Sequence, residues 1–334
     1  APRSVRRSRA DRKGPAVGYG MTIPFDHVPL HEQRDLIGRL VELGYTDVWT
    51  GEADAYDGLT PLVLASAWQP SLHVGTAILP AYTRAPALMA QSAASLAAAA
   101  PGRASFGIGT SSDVIVERWN GVPFEEPFKR VRDLARFLRT ALTGEKVKET
   151  YDSFTIDGFR LKAVPEQPPE LLIAALRPGM LRLAGRESDG AIINWLSADD
   201  VSTVVPYVHE GGEGKSVVCR VFVAPTTDRD AVIQMGRFAI AAYLNVPVYR
   251  AFHEWLGRTP QLQQMWDLWE AGDRQGALAA IPEEVVDQLI VHGSPEACRA
   301  HIQRYVDNGV TTPALAVLPF GVEVEQAIED LAPQ

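Results

Sequence analysis

Cysteine is scarce: Cys219 and Cys298 are the two among 334 residues, and they do not stand at metal-ligand spacing. That excludes a disulfide framework and points to a reduced, cytoplasmic protein. Long apolar runs are missing as well. A bilayer-spanning helix needs about 20 consecutive apolar residues, whereas the Ala-rich run from Ala85 to Ala100 is broken by Pro86, Gln91, Ser92 and Ser95. It reads as a packed helix, and no membrane association is expected. Positive charge is in deficit, with 32 Lys and Arg against 41 Asp and Glu and a formal charge of −9. Broad nucleic-acid binding is therefore not expected. The seven histidines are scattered, no Asp pair stands at metal spacing, and there is no nucleophile elbow. With hydrolysis by a metal or by a Ser–His pair poorly supported, an organic cofactor becomes the better source of reactivity.

What is present is ordinary globular composition, 46% hydrophobic and 22% charged, enough for a sizeable core. Residues 1–14 are basic and include Arg6-Arg7. Ala10-Asp11-Arg12-Lys13-Gly14 follows where a twin-arginine export signal needs an apolar segment. The segment reads as a flexible extension ahead of one domain, residues 15–334. Within it, strands at Val17–Met21, Asp47–Thr50, His73–Leu79 and Ala104–Ile108 alternate with helices at Leu30–Leu43, Leu59–Trp68, Ala85–Ala100 and Phe128–Leu142. Later strands fall at Leu171–Ala174, Gly190–Asn194, Val217–Val223 and Ala314–Leu318. Eight strands in this β-α order favour an α/β fold, a closed (β/α)₈ TIM barrel. Two stretches do not fit one β-α unit and read as insertions. Residues 145–163 suggest a hairpin turning at Asp157-Gly158, and residues 231–291 carry helical segments with Trp255, Trp266 and Trp269.

In such a barrel the working groups sit on loops after the strands. Glu52 and Asp54 emerge there after the second strand, and serve equally well as solvated or capping acids. Gly107-Ile108-Gly109-Thr110 ends the fourth strand, where glycine could simply let the strand bend. Leu176-Arg177-Pro178-Gly179-Met180 follows the strand Leu171–Ala174 and opens a helix. Free N–H groups at a helix start, with Gly179 permitting close approach and Arg177 adding charge, could hold a phosphate. The same residues also make a plain helix-starting turn. Tyr19, Phe25, Tyr56, Trp195 and Tyr243 are aromatic candidates for stacking or covering a substrate, against the alternative of core packing. Trp195 stands foremost, directly after an apolar strand.

Taken together, these strand ends resemble the bacterial luciferase-like superfamily, and within it the coenzyme F420-dependent oxidoreductases. The matching stretches are Leu43–Glu52 (LGYTDVWTGE), Val74–Pro80 (VGTAILP), Arg84–Gln91 (RAPALMAQ), Pro101–Thr110 (PGRASFGIGT) and Leu183–Gly190 (LAGRESDG). His292–Cys298 (HGSPEAC) and Gly309–Pro313 (GVTTP) also match, so the likeness runs from about Val17 to Pro319. The resemblance implies a (β/α)₈ barrel holding a deazaflavin, F420, or alternatively FMN. It implies a non-prolyl cis peptide at Ala77-Ile78 backing the ring, with Thr76, Ala77 and Ile78 as ring contacts. Gly109, Thr110 and Ser111 would border the cofactor, Arg177, Pro178, Gly179 and Met180 would take its phosphate, and Glu52 would meet the ring edge. The expected activity is hydride transfer between F420 and a small organic substrate. An FMN-dependent monooxygenase served by a partner reductase, or a non-catalytic binder, is the alternative. Homodimerisation is expected by analogy. Relatives that oxidise sugar phosphates carry His after the acid, and this sequence has Ala53. Glu52, Asp54 and Trp195 remain as catalytic candidates, and reduction of an unsaturated compound is favoured over sugar oxidation.

Overall fold

The computed structural model describes residues 18–318 and 320–334. The extension expected at residues 1–14 and Val17 of the expected first strand lie outside the described residues. In chain order the strands are β1 (Gly20–Thr22), β2 (Asp47–Thr50), β3 (His73–Thr76), β4 (Leu79–Pro80), β5 (Ala104–Gly109), β6 (Val147–Thr150), β7 (Thr155–Phe159), β8 (Glu170–Ala174), β9 (Gly190–Asn194), β10 (Ser216–Ala224), β11 (Val291–His292) and β12 (Thr312–Val317). Pairing runs β10–β12–β1–β2–β3–β5–β8–β9 and returns from β9 to β10. Every pair in that circuit is parallel, so eight strands close a (β/α)₈ barrel, with β4 added to β5 and β11 to β10.

Helices α1 (Arg34–Glu42), α2 (Thr60–Trp68), α3 (Pro86–Ala99), α4 (Pro127–Ala141), α5 (Pro178–Glu187) and α6 (Ala198–His209) alternate with these strands. Their inward stripes carry the outer core: Ile37 and Leu40 from α1, Met89 and Leu96 from α3, Val131, Leu134 and Leu138 from α4 are all essentially inaccessible. Burying each such side chain contributes about 1.5–3 kcal/mol. The start of α6 is set by a capping box, in which Ser197 Oγ accepts from Asp200 N and the Asp200 carboxylate accepts from Ser197 N. Five helices then form the long insertion: α7 (Arg229–Leu244), α8 (Pro247–Trp255), α9 (Thr259–Glu270), α10 (Arg274–Ala279) and α11 (Glu283–Leu289). They enclose a second core with Ile240, Leu262, Met265 and Trp266, into which Trp195 and Phe222 project from the barrel. Helices α12 (Pro295–Asp307) and α13 (Val324–Asp330) complete the chain.

The barrel interior is filled in layers. Strand side chains alternate between its two faces, and Trp49, Leu172, Ile192, Val218 and Ala314 meet inside. Room for the Trp49 ring comes from Gly75, where an added Cβ would stand 2.2 Å from Trp49 Cζ3. The N-terminal floor below is polar: Glu170 accepts from Ser105 Oγ at 2.6 Å and from Ser216 Oγ, and His73 Nε2 meets Ser105 Oγ at 2.7 Å. These contacts tie β3, β5, β8 and β10 together at the N-terminal end of the barrel.

Two expected boundaries change. The strand expected at His73–Leu79 is interrupted: β3 stops at Thr76, the Ala77–Ile78 peptide is cis, and β4 resumes at Leu79. The hairpin exists, but its turn is at Asp152-Ser153, and Asp157-Gly158 lies within β7. Asp133 fixes that turn by accepting from both Ser153 N and Ser153 Oγ at 2.9 Å. Gly158, with φ of 87°, instead serves a register shift opposite Val147 and Lys148. No single helix among the described residues is long and apolar enough to cross a membrane.

Candidate active site at the barrel mouth

The expected cofactor residues emerge from four neighbouring strands. Glu52 follows β2, Ala77 and Ile78 follow β3, Gly109–Ser111 end β5, and Arg177–Met180 follow β8. Glu52 is tied in three ways. Its N–H donates to the Ile78 carbonyl at 3.2 Å, its Oε2 accepts from Gly58 N at 2.9 Å, and its Oε1 pairs with Arg84 Nη1 at 2.5 Å. Both members of that ion pair are mostly shielded, with side chains 16% and 15% exposed. The acid therefore arrives at the mouth already held by a cation that sequence reasoning had assigned no role. A cavity of about 380 Å³ opens beside it, lined by Glu52, Tyr56, Pro80, Thr83, Arg84 and Asn120 among others. Ala53 and Ala55 also line it, and no histidine does.

Ala77, Ile78 and Ala174 are partly exposed caps on the inner barrel core, an apolar platform at the top of the interior. Thr76 does not share in it. Its side chain is fully buried, with Oγ1 donating to Gly107 O at 2.9 Å and accepting from Gly107 N at 2.8 Å. The hydroxyl is consumed in joining β3 to β5 beneath the platform, which corrects its expected ring contact. Gly109 packs closely, its Cβ position 2.9 Å from Ala174 Cβ, while Thr110 and Ser111 are half-buried and Ser111 is left-handed with φ of 61°. Arg177 is exposed at the N-cap of α5, and an added Cβ at Gly179 would meet nothing within 4 Å. Pro178 has no N–H, and the first intrahelical donor is Leu181 N to Arg177 O. The N–H groups of Gly179 and Met180 thus have no partner among the described residues, as the geometry of a helix start dictates. The side chain of Met180 packs into the main core, leaving its backbone alone for a ligand.

The aromatic candidates scatter. Tyr19 precedes β1 and so lies at the floor end, where its hydroxyl donates to Leu331 O at 2.9 Å and its ring packs against Tyr45. Burial pushes its pKa well above the ordinary phenol value. Phe25 reaches the mouth end but is 6% exposed, in a loop clamped by Gln33, whose side chain bonds both its N–H and its carbonyl. Trp195 is 1% exposed, stacked on Phe222 at 4.0 Å and flanked by Tyr243 at 4.8 Å. The five-helix insertion closes over it, so its faces are core contacts rather than a substrate surface. Tyr56 does line the cavity, Tyr243 keeps an exposed edge, and Asp54 stands in solvent on the loop.

Sequence reasoning missed a polar group on the other side of the mouth. Asn194, at the end of β9, donates from Nδ2 to the Tyr249 hydroxyl of α8 at 3.0 Å. Burial raises the Tyr249 pKa to about 12, with the Asn194 hydrogen bond and the charge of Arg220 working against that rise. Arg220 sits beside Asn194 in register on β10, its guanidinium 5.1 Å from the Phe222 ring centre. A lone charge in the apolar run Val217–Val223 was the available signal. Among the described residues no group of His, Cys, Asp and Glu could hold a metal ion.

The model of the luciferase-like monooxygenase family matches residues 10–312. The chain is 27% identical over 298 residues to a 5,10-methylenetetrahydromethanopterin reductase of Methanolobus tindarius, covering 86% of this chain and 90% of that one. It is 28% identical over 295 residues to an F420-dependent glucose-6-phosphate dehydrogenase of Kineococcus radiotolerans, covering 81% and 82%. Among solved structures, the coenzyme F420 dependent tetrahydromethanopterin reductase from Methanopyrus kandleri shares the fold, with a TM-score of 0.78 at 22% identity over 95% of this chain and 97% of that one.

Proposed function

The chain belongs to the luciferase-like monooxygenase family, and on that premise we propose that it is an F420-dependent oxidoreductase reducing an unsaturated, mostly apolar small molecule. The observation that carries the proposal is the gathering of an apolar platform, an anchored acid and an open helix start on four adjacent strands of one mouth. These residues fit a flat ring with an anionic tail. Ala77, Ile78 and Ala174 offer a face for the ring, and Glu52 an acceptor for a ring N–H. Arg177 with the free N–H groups of Gly179 and Met180 offers a phosphate seat. When bound, such a deazaflavin supplies or takes up a hydride; the protein's part is to orient the partners and keep water out.

Reduction of a polarised double bond places a hydride on one atom and a proton on the other. No histidine lines the cavity, and Ala53 and Ala55 occupy the rim where a base for alcohol oxidation could stand. Tyr56, lining the cavity, and solvent are the proton sources the mouth offers. The same reading includes a cytoplasmic location, where Cys219 and Cys298 remain free thiols. It also includes a homodimer through the outer faces of α2 and α3, which expose Val63 and Leu88.

The test is to titrate the purified chain with F420 and with FMN, following the fluorescence and absorption of each ring. Oxidation of reduced F420 is then screened against enones, imines and nitroaromatics, beside reduction of F420 by glucose 6-phosphate and alcohols. Tight F420 binding with turnover of an unsaturated compound supports the proposal. Preference for FMN would point to a monooxygenase fed by a reductase, and binding without any turnover to a non-catalytic member. Turnover of glucose 6-phosphate alone would overturn the inference from Ala53.

A further inference from the structure

We infer that Arg220, flanked by Asn194 and Tyr249, is the seat for a substrate carboxylate, so that the unsaturated substrate is an acid. The inference rests on the reading of the mouth as an F420 site and adds the substrate's chemical class.

Side chains on β10 alternate between the two faces of the barrel wall. Val218 belongs to the inner layer with Trp49 and Ile192, whereas Val217, Cys219 and Val221 face the outer helices. Arg220 therefore points inward, one layer nearer the mouth than Val218. Its strand is four steps from β3 in either direction around the barrel. The guanidinium-bearing wall thus stands opposite the Ala77–Ile78 platform, across the space a ring on that platform would leave for a substrate.

The charge has no counterpart. Arg220 makes no ion pair among the described residues, and its Nε is buried without a hydrogen-bond partner. Other half-buried arginines without an ion pair, Arg103, Arg130 and Arg237, each donate to a backbone carbonyl, whereas Arg220 has no side-chain hydrogen bond among the described residues. Arg220 is half-buried, and its enclosed Nε is a donor that an anion would complete. The Phe222 ring supports the guanidinium by a cation–π contact but accepts no hydrogen bond in the guanidinium plane. Guanidinium is a planar fork of donors that matches a carboxylate with two parallel hydrogen bonds. Asn194, level with Arg220 in register, and the Tyr249 hydroxyl add neutral polar groups beside that fork. The wall opposite is the apolar platform of Ala77, Ile78 and Ala174. The rest of the ligand is accordingly an apolar body with the acid at one end.

Cinnamate and cinnamamide, alike in shape and different in charge, test the assignment by calorimetric titration of the chain with and without F420. Wild-type protein should bind cinnamate at least tenfold tighter than cinnamamide. R220Q should abolish that preference while binding F420 within twofold of wild type, and R220K, which keeps the charge without the fork, should retain part of it. Equal affinity of wild type for the two probes, or a preference that survives in R220Q, would overturn the seat. A loss of F420 affinity in R220Q with the cinnamate preference intact would assign the cation to the cofactor and overturn it likewise. If wild type fails to bind F420 at all, the reading of the mouth fails, and the titration without F420 still decides for or against Arg220.

Discussion

Valine at position 179 distinguishes a glycine kept for a ligand from one kept for the fold. The Cβ position at Gly179 has no heavy atom within 4 Å, and the residue is exposed in the first turn of α5. Nothing in the protein resists a larger side chain there. Valine is a slightly better helix former than glycine, by a few tenths of a kcal/mol. The folded state of Gly179→Val is therefore expected to hold within about 1 kcal/mol of the parent. A bound phosphate changes the comparison, because the N–H groups of Gly179 and Met180 are the free donors of this helix start. A hydrogen bond to a charged acceptor contributes about 1.5–3 kcal/mol. A branched side chain over these donors should remove one such bond, weakening F420 binding by about 10–150-fold at about 1.4 kcal/mol per tenfold. The assay pairs fluorescence titration with thermal unfolding, and repeats the titration with a deazaflavin lacking the phosphate tail. Wild-type F420 affinity in the variant, or an equal loss for the phosphate-free ring, would refute the assignment.

Three further outcomes are expected. Arg84→Met strips the cation from Glu52, and because both side chains are mostly shielded the loss in denaturant unfolding should be about 2–3 kcal/mol, recovered largely by adding Glu52→Gln; an unchanged midpoint counts against the pair. Gly75→Ala drives a methyl to 2.2 Å from the buried Trp49 ring, so overpacking should cost about 1–3 kcal/mol or more, and a variant within 0.5 kcal/mol of wild type, in order-of-magnitude terms, would show that the inner layer is looser than described. Trp195→Ala, at a site sealed between Phe222 and Tyr243, should lose about 3–5 kcal/mol of stability; a raised KM at wild-type stability would restore it as a substrate surface.

The barrel was legible in the sequence because parallel strands buried on both faces read as short apolar runs separated by helices of the right length. Asp47–Thr50 and Gly190–Asn194 match the observed strands residue for residue. Where glycine was the cue, the same residue type served different ends. Asp157-Gly158 looked like a hairpin turn, but the positive φ of Gly158 serves a bulge, and a side chain distant in sequence, Asp133, pins the turn five residues earlier. Loop residues taken from strand ends fell on one half of the mouth because strand order and strand neighbourhood coincide there: β2, β3, β5 and β8 are consecutive in the barrel.

Aromatic residues were harder to place, because exposure is decided by packing partners far along the chain. Trp195 follows a strand and would face the opening of a bare barrel, yet helix α7 brings Tyr243 across it from nearly fifty residues away. Tyr19 failed for a smaller reason. It precedes β1 and so stands at the floor end, where the Leu331 carbonyl accepts a hydrogen bond from its hydroxyl. Charge carries more positional information than aromaticity here, since burying an unpaired cation costs far more than burying a ring. A lone arginine inside the run Val217–Val223 was therefore a sharper cue than any of the five aromatic candidates, and Arg220 is the residue on which the proposed carboxylate seat rests.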